Sequence, residues 1–332
     1  LMTPTQEAIR TTVVVVPRES FNMFPEVIER IYRLTPPIFK MIVMEGHAPE
    51  PIRRQLREIA RAKPNCQIVW SNRWLFAHEA VNQAMPLIDT EYVVFIDNDV
   101  EVLEGWLEHL VKCADEEQVN CVHPIYLTTK ADIPHRKIHV AEGTLVREKR
   151  NGKWFIDTVA TYSGVKLEDY PDPRRKPSGF FEWHCVLFRT SLLAKTGPMD
   201  DMNIAEHVDY SLRVHKLGEK LLLEPKAVVA YNYERILTLR GADRRYLLHR
   251  WSVKKSAESL RRLREKWNLT EDSTARRLYW VKEHTGKVRA TYLGPRIINK
   301  VRRIVGLGNM PYARGPRPVV PAVENVAANG RK

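Results

Sequence analysis

Between residues 11 and 127, short apolar runs alternate with amphipathic stretches, and this alternation constrains the fold more than any other feature of the chain. TTVVVVP (11–17), FKMIVMEG (39–46), CQIVWSN (66–72), YVVFIDND (92–99) and a run over 119–127 are short, continuously apolar and rich in β-branched residues. Such runs fit strands buried on both faces. Between them, residues 25–34, 50–62, 76–88 and 104–117 carry apolar positions at helical spacing, with Pro25 in a first turn where its missing N–H costs nothing. The expectation is an α/β fold with a mostly parallel sheet and helices on both faces. Ligands bind such sheets beyond the carboxyl ends of the strands. Three of those ends carry polar residues: Arg18 and Glu19, Glu45, and Asp97 with Asp99. A site is expected where they converge.

After residue 127 the pattern loosens. HVAEGTLVREKRNGKWFIDTVATY alternates about Asn151-Gly152, a strong hairpin signal. PDPRRKPSG (171–179) reads as a mobile basic surface loop, and FFEWHCVLFR (180–189) as a return to strand. Helices over 191–196 and 205–217 are expected to end at Gly197 and Gly218. LLLEPKAVVAYNY (221–233) is strand-like around Pro225. Residues 241–304 read as basic helices, residues 1–10 as a loose lead-in, and the Pro-, Ala- and Asn-rich segment after 309 as a disordered tail.

Composition narrows the function classes. The 332 residues carry 53 Lys+Arg against 40 Asp+Glu, a formal charge of +13 that favours anionic partners: nucleotides, nucleic acid, phospholipid surfaces or charged glycans. No recognised nucleic-acid-reading motif is present. No apolar run reaches the roughly 18 residues of a membrane span, and the N-terminus lacks a signal-peptide pattern, so a cytoplasmic protein is expected. Cys66, Cys113, Cys121 and Cys185 form no C-x-x-C pair and are expected to be buried free thiols.

Two constellations carry chemistry. At Asp97-Asn98-Asp99 an apolar strand runs into two carboxylates one residue apart. Hard oxygen ligands beside a polyphosphate suit Mg2+ or Mn2+, which would offset the charge of a departing diphosphate. A solvated turn with Asp as a helix cap is the plainer alternative. At Glu206-His207-Val208-Asp209, acids open an amphipathic helix with residues 206 and 209 on one face. The cluster could supply a general base to an acceptor hydroxyl, or simply complement the helix dipole.

Taken in order, VVVVP, IVMEG, AVNQA, VVFIDND, HCVLFRTSLLAKTGPMD, AEHVDYSLRVHKLG and PKAVVAY resemble the family 2 glycosyltransferases and their relatives of the GT-A fold, over about residues 11–235. The resemblance implies a Rossmann-like GT-A domain over 1–235, with a nucleotide-sugar half at about 11–127 and an acceptor half at about 128–235. A basic helical extension (236–308) and a tail (309–332) would follow. It implies that Pro17, Arg18 and Glu19 face the base and ribose, that Glu45 reads the base, and that Asn82 matches the family's third-helix Asn. By the same resemblance Asp97 and Asn98 lie on the nucleotide-sugar, Asp97 and Asp99 bind Mn2+ or Mg2+, and Glu206, His207 and Asp209 form the catalytic acidic motif. Trp183 and His184 fall on the acceptor side.

The chain departs from the family at four points. Pro-Arg-Glu-Ser replaces a Tyr-Asn pair in the first loop, and Phe76 takes the place of a usual Gly. His207 stands where an Asp base is usual, and Tyr231 where many members place a metal-binding His. An imidazole base is chemically reasonable, and Glu206 is the alternative. The expected activity is metal-dependent sugar transfer, inverting, from a nucleoside-diphosphate-sugar to a hydroxyl of a glycan or glycolipid in polysaccharide biosynthesis. The rivals are a catalytically silent binding or scaffold protein of the same fold and a sugar-phosphate nucleotidyltransferase, the latter expected to carry a Gly-rich N-terminal loop that VVVVPRESFNMF lacks. The helices of 241–304 either pack an apolar stripe on the core or bring the enzyme to anionic membranes as a peripheral protein.

Overall fold

The computed structural model describes residues 9–36, 38–128, 136–231 and 242–304. The lead-in at 1–8, the segment 232–241 and the tail from 309 lie outside the described residues. The chain divides into two compact units, Leu1–Val288 and Arg289–Lys332; residues 289–304 of the second are helical.

The apolar runs form the expected strands: β1 (Thr11–Val16), β2 (Phe39–Met44), β3 (Cys66–Val69), β4 (Tyr92–Asp97) and β6 (Cys121–Leu127). β1 pairs in parallel with β2 and β4, and β2 with β3. Val13, Val14 and Val15 have no exposed surface, because helices cover both faces of this block. The covering helices are α1 (Phe24–Leu34), α2 (Glu50–Ala62), α3 (Ala77–Ala84) and α4 (Trp106–Glu116). α2 shows why they form. Ile52, Leu56 and Ile59 recur at helical spacing and are buried, while its charged residues face outward. Each buried aliphatic side chain contributes about 2 kcal/mol.

The second half breaks the parallel rule. β11 (Cys185–Arg189) inserts antiparallel between β4 and β6, and β12 (Leu221–Tyr231) then pairs in parallel with β6. The sheet order is β10-β12-β6-β11-β4-β1-β2-β3, with β10 at Lys176–Pro177. Two short strands join the margin: β5 (Val100–Val102) on β12 and β7 (Ile138–Val140) on β6. The run 180–189 is a strand only from Cys185; Phe180–His184 precede it, and of these Glu182 and His184 face the site. The basic loop contributes β10, and its Ser178 is 5% exposed.

The hairpin signal at Asn151-Gly152 joins β8 (Glu142–Arg150) to β9 (Lys153–Thr161), with φ of 47° and 79° at the two turn residues. Gly179 touches the base of β8 so closely that a Cβ there would overlap the Leu145 backbone. α5 (Thr190–Thr196) and α6 (Glu206–Lys216) are followed by left-handed Gly197 and Gly218. α7 (Ala242–Arg250), α8 (Val253–Trp267) and the start of α9 (Asp272–Ile304) turn their apolar stripe inward: Leu247, Trp251, Leu260, Leu263 and Val281 share a core with Val208 and Leu212 of α6. The four cysteines are free, three of them buried. Among the described residues no helix is long and apolar enough to cross a membrane.

Candidate functional site

The parallel pairing of β1 and β4 sets Val16 opposite Asp97, so Pro17-Arg18-Glu19 and Asp97-Asn98-Asp99 emerge side by side at one sheet edge. Asn98 ties them together: its Oδ1 accepts the Arg18 N–H at 2.8 Å and its Nδ2 donates to the Ser20 carbonyl at 2.6 Å. β4 stops at Asp97, and Asn98-Asp99 turn the chain directly into β5 rather than extending the strand. On the β2 side, Gly46 must be glycine. Its φ is +67°, and a Cβ would sit 2.7 Å from Pro17 Cγ.

Arg18 is the hub of the charges gathered here. Its Nε lies 3.4 Å from Asp97 Oδ2, and its Nη1 donates to Glu206 Oε1 at 2.5 Å. His184 Nδ1 donates to Asp97 Oδ2 at 2.9 Å, while the His184 ring stacks on Tyr231 with centroids 4.2 Å apart. Glu19 is held from the C-terminal helices. The Trp251 indole donates to it at 2.9 Å, and Arg250 Nη1 lies 3.1 Å away. Arg18, Glu19, His184, Glu206 and His207 all line one cavity of about 640 Å3, together with Glu182, His139, Thr158, Tyr231, Trp251, Arg276, Arg277 and Trp280.

Burial and pairing set the protonation states. Burial opposes ionisation of Glu206, but Arg18 outweighs it and the carboxyl falls to about 2. Burial takes His207 below the ordinary imidazole range, although Glu182 and Glu206 act the other way. Glu182 is half-buried, which opposes its ionisation, yet His207, His184, His139 and Arg18 bring it below the usual carboxylate range. At neutral pH the cavity therefore holds a neutral His207 with its Nδ1 3.7 Å from an anionic Glu182. Between the two candidate bases, Glu206 is spent on Arg18 and His207 is free to take a proton. Ala205, which caps α6, has a φ of +62°, a strained conformation for a non-glycine residue, and this turn leads into Glu206 and His207 at the cavity.

Asp99 has the opposite character. Burial, and then the charges of Asp97 and Glu19, push its carboxyl well above the usual range. Both its oxygens, and Asp97 Oδ1, are buried without a hydrogen-bond partner. Three orphaned carboxylate oxygens on two residues close enough for their charges to interact suit a divalent cation. Among the described residues no three His, Cys, Asp or Glu converge as a complete ligand set, so a cation here would fill its shell with ligand phosphate and water.

Other residues singled out from the sequence are tied elsewhere. Glu45 is fully buried and accepts from the His47, Ala48 and Ser71 amides and from Arg53 at 2.6 Å, so it knits loops together. Asn82 holds Met199 through both N–H and carbonyl, at 2.7 and 2.8 Å. The Pro17 carbonyl accepts from Tyr246 at 3.3 Å. Trp183 sits in an aromatic core with Phe95, Phe181, Phe188 and Tyr210. Asp209 does not share Glu206's surroundings. It accepts from Trp267 Nε1 at 2.7 Å and Arg213 at 2.8 Å, anchoring α6 to α8.

Sequence reasoning missed Glu182, His139 and the contribution of α7–α9. The one available signal was the triplet Glu182-Trp183-His184, whose polar residues flank an apolar one at strand spacing.

Comparisons with known proteins agree with this architecture. No curated protein matches the chain. Among solved structures, GalNAc-T7 with UDP, GalNAc and Mn2+ superposes with a TM-score of 0.54 at 14% identity, over 86% of this chain and 58% of that one. This chain thus spans less than two thirds of that relative. The mannosyltransferase PcManGT from Pyrobaculum calidifontis, in complex with GDP-Man and Mn2+, gives 0.49 at 14% identity over 87% of each chain. S. aureus TarS 1-349 gives 0.47 at 14% identity, over 77% of this chain and 72% of that one. The likeness to GalNAc-T7 establishes a GT-A glycosyltransferase fold, and the profile of glycosyl transferase family 2 matches residues 12–197. That match runs from β1 through β4 to the end of α5, more than half of the sequence, and with it this chain belongs to glycosyl transferase family 2.

Proposed function

We propose that this protein transfers a sugar, with inversion, from a nucleoside-diphosphate-sugar to a hydroxyl of a glycan or glycolipid acceptor. One observation carries the reading. Asp97, at the end of β4 and with one orphaned oxygen, pairs with Arg18, and Arg18 lines one cavity with Glu206 and a neutral His207 at the start of α6. In this proposal the donor diphosphate lies toward Asp97 and Asp99, and the acceptor hydroxyl lies toward His207. A divalent cation held by Asp99 and Asp97, Mn2+ as in GalNAc-T7 or Mg2+, would supply charge that offsets the leaving diphosphate. Arg18 keeps Glu206 ionised and holds Asp97 and Glu206 in place. His207 Nδ1 keeps its proton toward Glu182, and Nε2 takes the proton of the attacking hydroxyl; Glu182 then stabilises the imidazolium.

The test is diphosphate release from a panel of UDP- and GDP-sugars with Mn2+. His207→Gln should slow turnover by about 10² to 10⁴ without weakening donor binding, as expected for loss of a general base. A wild-type protein that binds donor but releases no diphosphate would instead be a silent binding protein of this fold. Peripheral membrane contact is proposed for a narrower surface than 241–304, because the apolar stripe of α7 and α8 is packed inward. Tyr279 of α9 is 68% exposed. Binding to anionic vesicles that does not weaken with salt would argue against contact there.

A further inference from the structure

We propose that the C-terminal helices build the acceptor subsite, and that it selects an anionic sugar, one with a carboxylate or phosphate ester near its reacting hydroxyl. The inference rests on the transferase reading above and deepens it.

The charges around the cavity are unevenly distributed. On the side of β1 and β4 each buried arginine faces carboxylates: Arg18 has Glu206 and Asp97, and Arg250 has Glu19. Arg277, which α9 brings to the cavity wall beside Thr158, is different. Its Nη2 donates to Thr158 Oγ1 at 2.6 Å and its Nη1 to the Ser273 carbonyl at 3.4 Å, both neutral acceptors. It makes no ion pair among the described residues, and Glu182 and Asp157 act on it only from beyond pairing distance. Arg276, next to it, pairs with Asp157 at 3.0 Å on the rim. A half-buried guanidinium that meets only neutral acceptors suits a carboxylate or phosphate, which such a group binds through two parallel N–H groups.

The same wall carries an aromatic face. Trp280 is 40% exposed and lines the cavity. Trp251 abuts it edge-on at 4.8 Å and His284 stacks beneath it at 4.9 Å, so the indole plane is fixed. Such a plane packs against the apolar face of a sugar ring, while Arg277 holds a charged substituent. A neutral sugar would cover Arg277 without giving its charge an anionic partner, and that difference is the basis of discrimination.

The experiment uses the full chain, with and without UDP or GDP and Mn2+, and follows tryptophan fluorescence as glucuronic acid, galacturonic acid, glucose 6-phosphate and glucose are added. The acidic sugars should bind wild type roughly tenfold or more tighter than glucose, as a charged hydrogen-bond pair predicts. Arg277→Gln should erase that preference without changing glucose or nucleotide affinity, Arg277→Lys should restore part of it, and Trp280→Ala should weaken all four sugars together. A matching melting profile shows that the variants fold. Equal binding of glucose and the acids by wild type, or a preference that survives Arg277→Gln, overturns the proposal. So does an equal loss of nucleotide affinity in Arg277→Gln, which would assign the anion to the donor's diphosphate. Failure of wild type to bind any nucleotide would instead sink the transferase reading, while the nucleotide-free titrations still decide the acidic preference.

Discussion

Replacing Arg18 by Met removes the cation that holds Glu206 and Asp97 together while keeping most of the side-chain volume. In the folded protein the Glu206 carboxyl titrates at about 2; in an unfolded chain it titrates near 4.3. The gap is over two pH units at about 1.4 kcal/mol each, so the ionised Glu206 contributes on the order of 3 kcal/mol to stability. Because the folded value is depressed, this contribution is fully present above about pH 4.3 and is lost as the pH falls toward 2. In Arg18→Met the carboxylate stays buried without its partner, a situation that typically costs 3–5 kcal/mol. Urea unfolding should therefore show a loss of about 3 kcal/mol or more at pH 7 that shrinks markedly by about pH 3. Adding Glu206→Gln should recover much of the loss at pH 7, since the unpaired charge is then gone. An Arg18→Met protein within about 0.5 kcal/mol of wild type at pH 7, or one whose deficit is the same at both pH values, would refute the role given to this ion pair.

Three further changes separate chemistry from architecture. Glu182→Gln should slow turnover and move the acidic limb of the pH–rate profile to lower pH, because Glu182 acts to raise His207; a rate loss with an unmoved limb would make Glu182 merely structural. Asp209→Asn weakens the anchor to Trp267 and Arg213 and should cost about 1–3 kcal/mol in thermal or urea unfolding, with turnover near wild type. Gly46→Ala forces a Cβ against Pro17 at positive φ and should cost about 1–3 kcal/mol while lowering nucleotide affinity, which calorimetry measures directly.

The parallel half of the sheet was legible because strands buried on both faces must be continuously apolar, and β1, β2 and β4 are. The hairpin was legible at Asn151-Gly152, where positive φ at two successive residues demands such a pair. The antiparallel insertion of β11 was not, since strand direction leaves no trace in periodicity. Glu182 was hidden because a lone acid among aromatics looks like the wet side of a strand, whereas the chain there has not yet entered the ladder. The spacing of Glu206 and Asp209 suggested a shared face, yet packing against α8 draws Asp209 to Trp267 while Arg18 holds Glu206. The basic helices concealed their part in the cavity. Helical periodicity places Trp251 and Trp280 on apolar stripes but does not say that the two indoles, packed on each other, also line a cavity.

The central claim is that the end of β4 binds a nucleoside diphosphate through a divalent cation. Titration calorimetry of UDP and GDP into the full chain, with Mn2+ and then with EDTA, tests it most directly. At least one nucleotide should bind with Mn2+ and lose most of its affinity in EDTA, and Asp99→Ala should abolish the metal-dependent part without lowering thermal stability, because both Asp99 oxygens lack protein partners. Equal affinity in Mn2+ and EDTA, or metal-dependent binding that survives Asp99→Ala, would contradict the account.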